Sequence, residues 1–180
     1  MTGMLRIALT ALLAPLLMPL PAQAAPQDPM TMPIEKLEDI APDQHPSAYF
    51  ILARRAFEAG KKDAAVRWLY VGQLRWRVYL KANPDLPPDG DPALFASMME
   101  TIGRPINEWA GGNVGQWTQS LQAALDWDAE HPNGFTPKAE HKAEYASVRS
   151  GLSDFIATLR EQRDSIARSR AENSLINRAD

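Results

Sequence analysis

Residues 63–80 read Asp-Ala-Ala-Val-Arg-Trp-Leu-Tyr-Val-Gly-Gln-Leu-Arg-Trp-Arg-Val-Tyr-Leu, and their spacing decides the fold class. Ala65, Trp68, Leu69, Gly72, Trp76, Tyr79 and Leu80 fall at offsets 0, 3, 4, 7, 11, 14 and 15, which trace one face of a 3.6-residue period. Upstream, Tyr49, Leu52, Ala53, Ala56 and Phe57 repeat that spacing over residues 47–58, and Gly60 stands where a helix end wants positive φ. Residues 34–40 allow a short helical turn before it. Downstream, the turn-rich stretch 83–90 (Asn-Pro-Asp-Leu-Pro-Pro-Asp-Gly) breaks the helix.

Asp91 as N-cap, with Pro92 in the first turn, opens a third helix through Leu94, Phe95, Met98, Met99 and Ile102, which Gly103 is expected to stop. A short helix over residues 105–110 leads to Gly111-Gly112. Asn113 then caps a fourth long helix through Trp117, Leu121, Ala124 and Leu125, ending near His131-Pro132. Thr136-Pro137 repeats the cap-plus-proline signature. It predicts a last helix to about Arg168, with Tyr145, Val148, Leu152, Phe155, Ile156, Leu159 and Ile166 on one stripe. No segment alternates with period two between hairpin turns. The class is all-α: an irregular antiparallel bundle of about five main helices with a long C-terminal helix.

The first residues read as an export signal. Arg6 is the one charge before residues 7–20, which are almost wholly apolar, and Ala22-Gln23-Ala24 is a small-x-small cleavage site. The apolar run is too short for the roughly 20 residues that span a bilayer, and no later segment is apolar enough. The chain has no cysteine, which removes a lipid-modified N-terminus, thiolate zinc sites and thiol nucleophiles. The domain reading is a signal peptide over residues 1–24, a flexible leader over 25–33, a helical domain over 34–168 and a frayed tail over 169–180. The expected compartment is the periplasm, with release from the cell as the alternative.

The pattern Leu52-x-x-x-Ala56-x-x-x-Gly60-x-x-Asp63-Ala64-Ala65-x-x-Trp68 resembles a tetratricopeptide-type helix hairpin, spanning about residues 47–80. In such units small residues let antiparallel helices approach and glycine closes the turn, parts that Ala56, Gly60, Ala65 and Gly72 can play. No second copy lies about 34 residues on. The resemblance implies a helix-pair packing mode and, by analogy, a protein-binding surface. The whole chain also resembles small exported helical proteins of Gram-negative bacteria.

Without residues 1–24 the net charge is −4, yet residues 54–81 hold eight Lys and Arg against Glu58 and Asp63, a local excess of +6. Arg67, Tyr70, Arg75, Trp76 and Arg77 belong to the residue types enriched in interface hot spots. They are the expected partner-binding residues, with two structural alternatives: the tryptophans belong to the core, and the arginines pair with acids of the same chain around residues 126–130. A negative exported protein points away from nucleic acid.

No motif commits the chain to a reaction. Asp126, Glu130, His131 and His141 form a candidate metal set of two carboxylates and two imidazoles, though no metal-binding motif joins them. Asp89-Gly90-Asp91 places glycine second where a calcium loop needs it sixth. Gly111-Gly112-Asn113-Val114-Gly115 lacks the lysine of a phosphate loop and reads as a helix stop and restart. No cofactor is implied. The expected function is a periplasmic non-enzymatic binder of a protein with an acidic surface. An immunity protein that neutralises a toxic enzyme is its specific form; a metal-dependent hydrolase or an envelope assembly factor is the alternative.

Overall fold

The structure is a computed structural model that describes residues 28–178, so the signal-peptide reading lies outside the described residues. The described residues form α1 (Ile34–Ile40), α2 (Ser47–Glu58), α3 (Lys62–Ala82), α4 (Asp91–Met98), α5 (Arg104–Ala110), α6 (Val114–Glu130), α7 (Lys142–Glu161) and α8 (Arg163–Glu172), with no strand among them. The all-α class holds. None of these helices is long and apolar enough to cross a membrane.

The quoted stretch becomes the axis of the bundle. α3 buries residues on every side, from Ala65 and Val66 through Leu74, Arg75, Trp76 and Val78. A helix that buries most of its circumference must be covered on most sides, and α2, α4, α5, α6 and α7 each pack on it. The seven-member stripe is therefore only part of its buried surface. Val66, Val71 and Val78 lie off the stripe and are fully buried as well.

α2 and α3 form the expected hairpin. Gly60 has φ +77°, and the turn returns the chain so that Gly72 lies against α2. A Cβ on Gly72 would stand 2.9 Å from the Cβ of Tyr49 and 3.0 Å from the Phe50 ring. Absence of a side chain is what allows the two helices this close.

Several boundaries depart from the sequence reading. Gly103 does not stop the third helix; a π turn over Met99–Gly103 carries the chain directly into α5. Thr136-Pro137 does not start the last helix, which begins at Lys142. Thr136 is instead buried, its N–H donating to Oδ1 of Asn133 (3.3 Å), in a turn tied to Tyr145. The expected single long helix is broken at Gln162 into α7 and α8. Residues 175–178 do not fray: the Arg178 N–H donates to Gly112 O (2.7 Å) and its guanidinium lies 3.3 Å above Trp109. Residues 28–33 of the leader are held too, through Arg55 Nη1 on the carbonyls of Pro29 and Met32 (3.2 and 2.7 Å).

Candidate functional site

Two arginines of α3, one on either side of Trp76 in the sequence, face different parts of the molecule. Arg75 is fully buried. Its Nε donates to Asp128 Oδ1 (3.0 Å), Nη1 to the Tyr49 hydroxyl (2.7 Å) and Nη2 to the His131 carbonyl (3.1 Å). Asp128, also fully buried, accepts from Arg149 Nη1 on its other oxygen (2.9 Å), and Lys138 donates to its main-chain carbonyl. The knot joins α2, α3, α6, α7 and the 131–141 turns around one carboxylate. Burial pushes the Tyr49 hydroxyl well above its usual range and the Lys138 amine below its own, against the pull of Asp128. A paired, hydrogen-bonded arrangement is what makes such buried charge tolerable.

Arg77 points the other way. It is exposed, lies 5.5 Å over the Phe95 ring and makes no ion pair among the described residues. With Lys81 it borders a half-open cleft of about 690 Å³ between α3 and α7, with Phe95 of α4 and Asn107 of α5 contributing to the walls. Leu74, Leu80, Val148, Leu152 and Phe155 make the surface apolar. One end is shut by a fixed cluster. The Tyr70 hydroxyl donates to Asn107 Oδ1 (3.1 Å) and accepts from Trp117 Nε1 (3.2 Å), and the Tyr70 ring stacks on Phe155 at 6.4 Å. Burial raises the Tyr70 pKa, so the hydroxyl stays a neutral donor.

Two features of the wall are unusual for a filled interior. Gln73 lines the cleft, is 7% exposed, and its amide nitrogen is buried with no hydrogen-bond partner. Such a donor costs about 1–3 kcal/mol when left unmet. Gly151 sits in the middle of α7, where a Cβ would meet nothing within 4 Å. Glycine inside a helix costs ~1 kcal/mol relative to alanine, and here no close packing requires it. The lining holds no carboxylate and no imidazole.

The sequence-predicted residues are thus divided. Arg75 and Trp76 are wholly inside, and Tyr70 is buried at the shut end of the cleft. They are not free for a partner, because the structural alternatives apply: Trp76 packs with Phe50 and Phe95, and Arg75 pairs with Asp128. Arg67 is half-buried over Trp68 (4.7 Å). Arg77 alone of the five stands exposed at the cleft. Residues 54–81 do not form one cationic face, since Arg54 pairs with Glu58, Arg55 holds the leader and Lys62 caps the α2 end at Phe57.

Nor are the metal candidates gathered. Asp126 is exposed and accepts from Gln122, Glu130 is exposed, and His131 stacks on Trp127 at 4.1 Å with Nδ1 at the Trp127 carbonyl (2.7 Å). His141 lies apart, at the start of α7. Among the described residues no group of three or more His, Asp or Glu side chains is placed to hold a metal ion. Asp91 does not cap α4 with its side chain; its carboxylate instead takes His45 Nε2 (3.0 Å) and the Tyr79 hydroxyl (3.1 Å). Gly111-Gly112 serves as a helix stop and restart, Asn113 capping α6 through the Gln116 N–H, and as the seat of the C-terminal tail.

The face of α7 that borders the cleft was missed by sequence reasoning. Val148, Leu152 and Phe155 belong to the predicted core stripe, yet the first two are half-covered and Phe155 is 37% exposed. Gly151 among them was the available signal.

No protein-family model matches the chain, and no solved structure does. An uncharacterised protein of Haemophilus influenzae is 33% identical over 89 residues, 48% of this chain. The chain spans about a third of that relative's length (34%). The α2–α3 hairpin therefore stands as a packing geometry, without assignment to the tetratricopeptide family.

Proposed function

We propose that this chain is a non-enzymatic binding protein whose contact site is the cleft between α3 and α7, and that export through residues 1–24 delivers it to the periplasm. The observation that carries this reading is the cleft itself: an apolar recess with an unmet amide donor, two uncompensated cations at its rim, and no acid–base couple in its lining. Recesses of this size with few polar groups are the usual form of ligand sites. The partner need not present a broad acidic surface. It must present an apolar group that carries negative charge, because Arg77 and Lys81 are the charges left to meet it. Among the described residues the donors named for the hydrolase alternative are not gathered into one site.

The test is co-purification from envelope extracts, with both proteins and organic-soluble material identified by mass spectrometry. A Gly151→Leu variant, which fills the recess from a site without neighbours, is expected to lose what the wild type retains. Identical sets for the two would contradict the reading.

A further inference from the structure

The cleft has a direction. Tyr70 to Lys81 is eleven residue steps along α3, about 16.5 Å at 1.5 Å per step, and the features along that line are not uniform. Tyr70 and Phe155 close one end with stacked rings, while Arg77 and Lys81 gather toward the other, and Gln73 lies between them with its unpartnered amide nitrogen. Gly151 opens the opposite wall, leaving space that a side chain would occupy.

We propose that the cleft holds an acyl-chain amphiphile with an anionic head: the chain lies along the apolar floor toward Phe155, and the head sits between Arg77 and Lys81. This rests on the cleft being the binding site. Three observations select the class. Neither cation forms an ion pair among the described residues, so a negative head has complementary charge waiting. The Gln73 amide nitrogen, buried and without a partner in the cleft wall, would meet a carbonyl or carboxylate oxygen near the head once its side chain rotates outward on binding. Large exposed apolar side chains outside the cleft are few. Among the described residues the large exposed hydrophobics are Met30, Leu94, Phe155 and Ile176, too few to extend it into the roughly 800 Å² that a stable protein interface takes from each partner. A slender chain uses the recess; a protein face does not.

The experiment is calorimetric titration of the full chain with four twelve-carbon probes: dodecanoate, dodecyl phosphate, a lauroyl lysophosphatidylglycerol and dodecanol. The expected result is saturable one-to-one binding of the anionic probes, at least tenfold tighter than dodecanol, weakening as salt screens the rim charges. The order of the three anions identifies whether a free carboxylate, a bare phosphate or a lipid headgroup is preferred. Gly151→Leu should weaken all probes at least tenfold. Arg77→Gln with Lys81→Gln should abolish the preference for anions while leaving dodecanol unchanged. Thermal unfolding of each variant verifies that it is folded, and Gly151→Phe offers a second filling residue. No saturable binding of any probe to the wild type, or binding indifferent to both fillings, would overturn the proposal. If the probes fail while Gly151→Leu still strips material in the envelope co-purification, the amphiphile falls and the cleft stands.

Discussion

Arg75 and Arg77 sit on one helix, flank Trp76 and carry the same charge, yet one is buried in a knot of hydrogen bonds and the other stands at a cleft rim. Rotation by two residues on a helix, roughly 200°, is enough to separate them. The Arg75 side is closed by α6 and α7 where Asp128 and Arg149 meet; the Arg77 side is where α7 leaves α3 partly uncovered beside Gly151. Composition sees two equal arginines. Packing makes one a structural bolt and the other a recognition group.

That contrast can be broken or sharpened by substitution. The largest effect belongs to Asp128→Ala, which leaves Arg75 buried without its counter-charge and should lower unfolding free energy by about 3–5 kcal/mol in urea titration. An Arg75→Met, Asp128→Leu pair should restore most of that loss, because a well-packed apolar pair avoids the desolvation of both charges. The two glycines that face α2 and the cleft give opposite signs. Gly72→Ala forces a methyl against Tyr49 and Phe50 and should cost about 1–3 kcal/mol. Gly151→Ala enters open space on an established helix and should stabilise by up to ~1 kcal/mol.

The smallest effect is a pH slope. His45 is held among Trp76, Tyr79 and Phe135, and burial lowers its pKa from 6.5 despite the attraction of Asp91. The folded state thus prefers the neutral ring while the unfolded chain takes the proton first. His45 favours folding above pH 6.5, and that contribution is lost as pH falls through its lowered folded value. Denaturation curves from pH 7.5 downward should therefore fall more steeply for wild type than for His45→Gln; parallel curves would remove His45 from the account.

The helices were legible where local rules decide them. Gly60 turns the hairpin, Asn113 caps α6, and the α3 period survives into the structure. Boundaries set by tertiary contact were not. Nothing local shows that Thr136 is drawn inward beside Tyr145, or that Gly103 sits within a π turn against the Met99 side chain. For the site, the alternative that arginines pair within the chain was readable, but which arginine does so depends on the angle at which α6 crosses α3. The cleft lies between two helices far apart in the chain, so no window of sequence contains it. Its trace is one glycine in an apolar stripe.

Arginine-selective modification of the native protein with phenylglyoxal, read residue by residue by mass spectrometry, tests the division most directly. Arg77 is expected to react while Arg75 remains untouched until denaturant opens the fold. Modification of Arg75 in the native state at a rate comparable to Arg77 would contradict it.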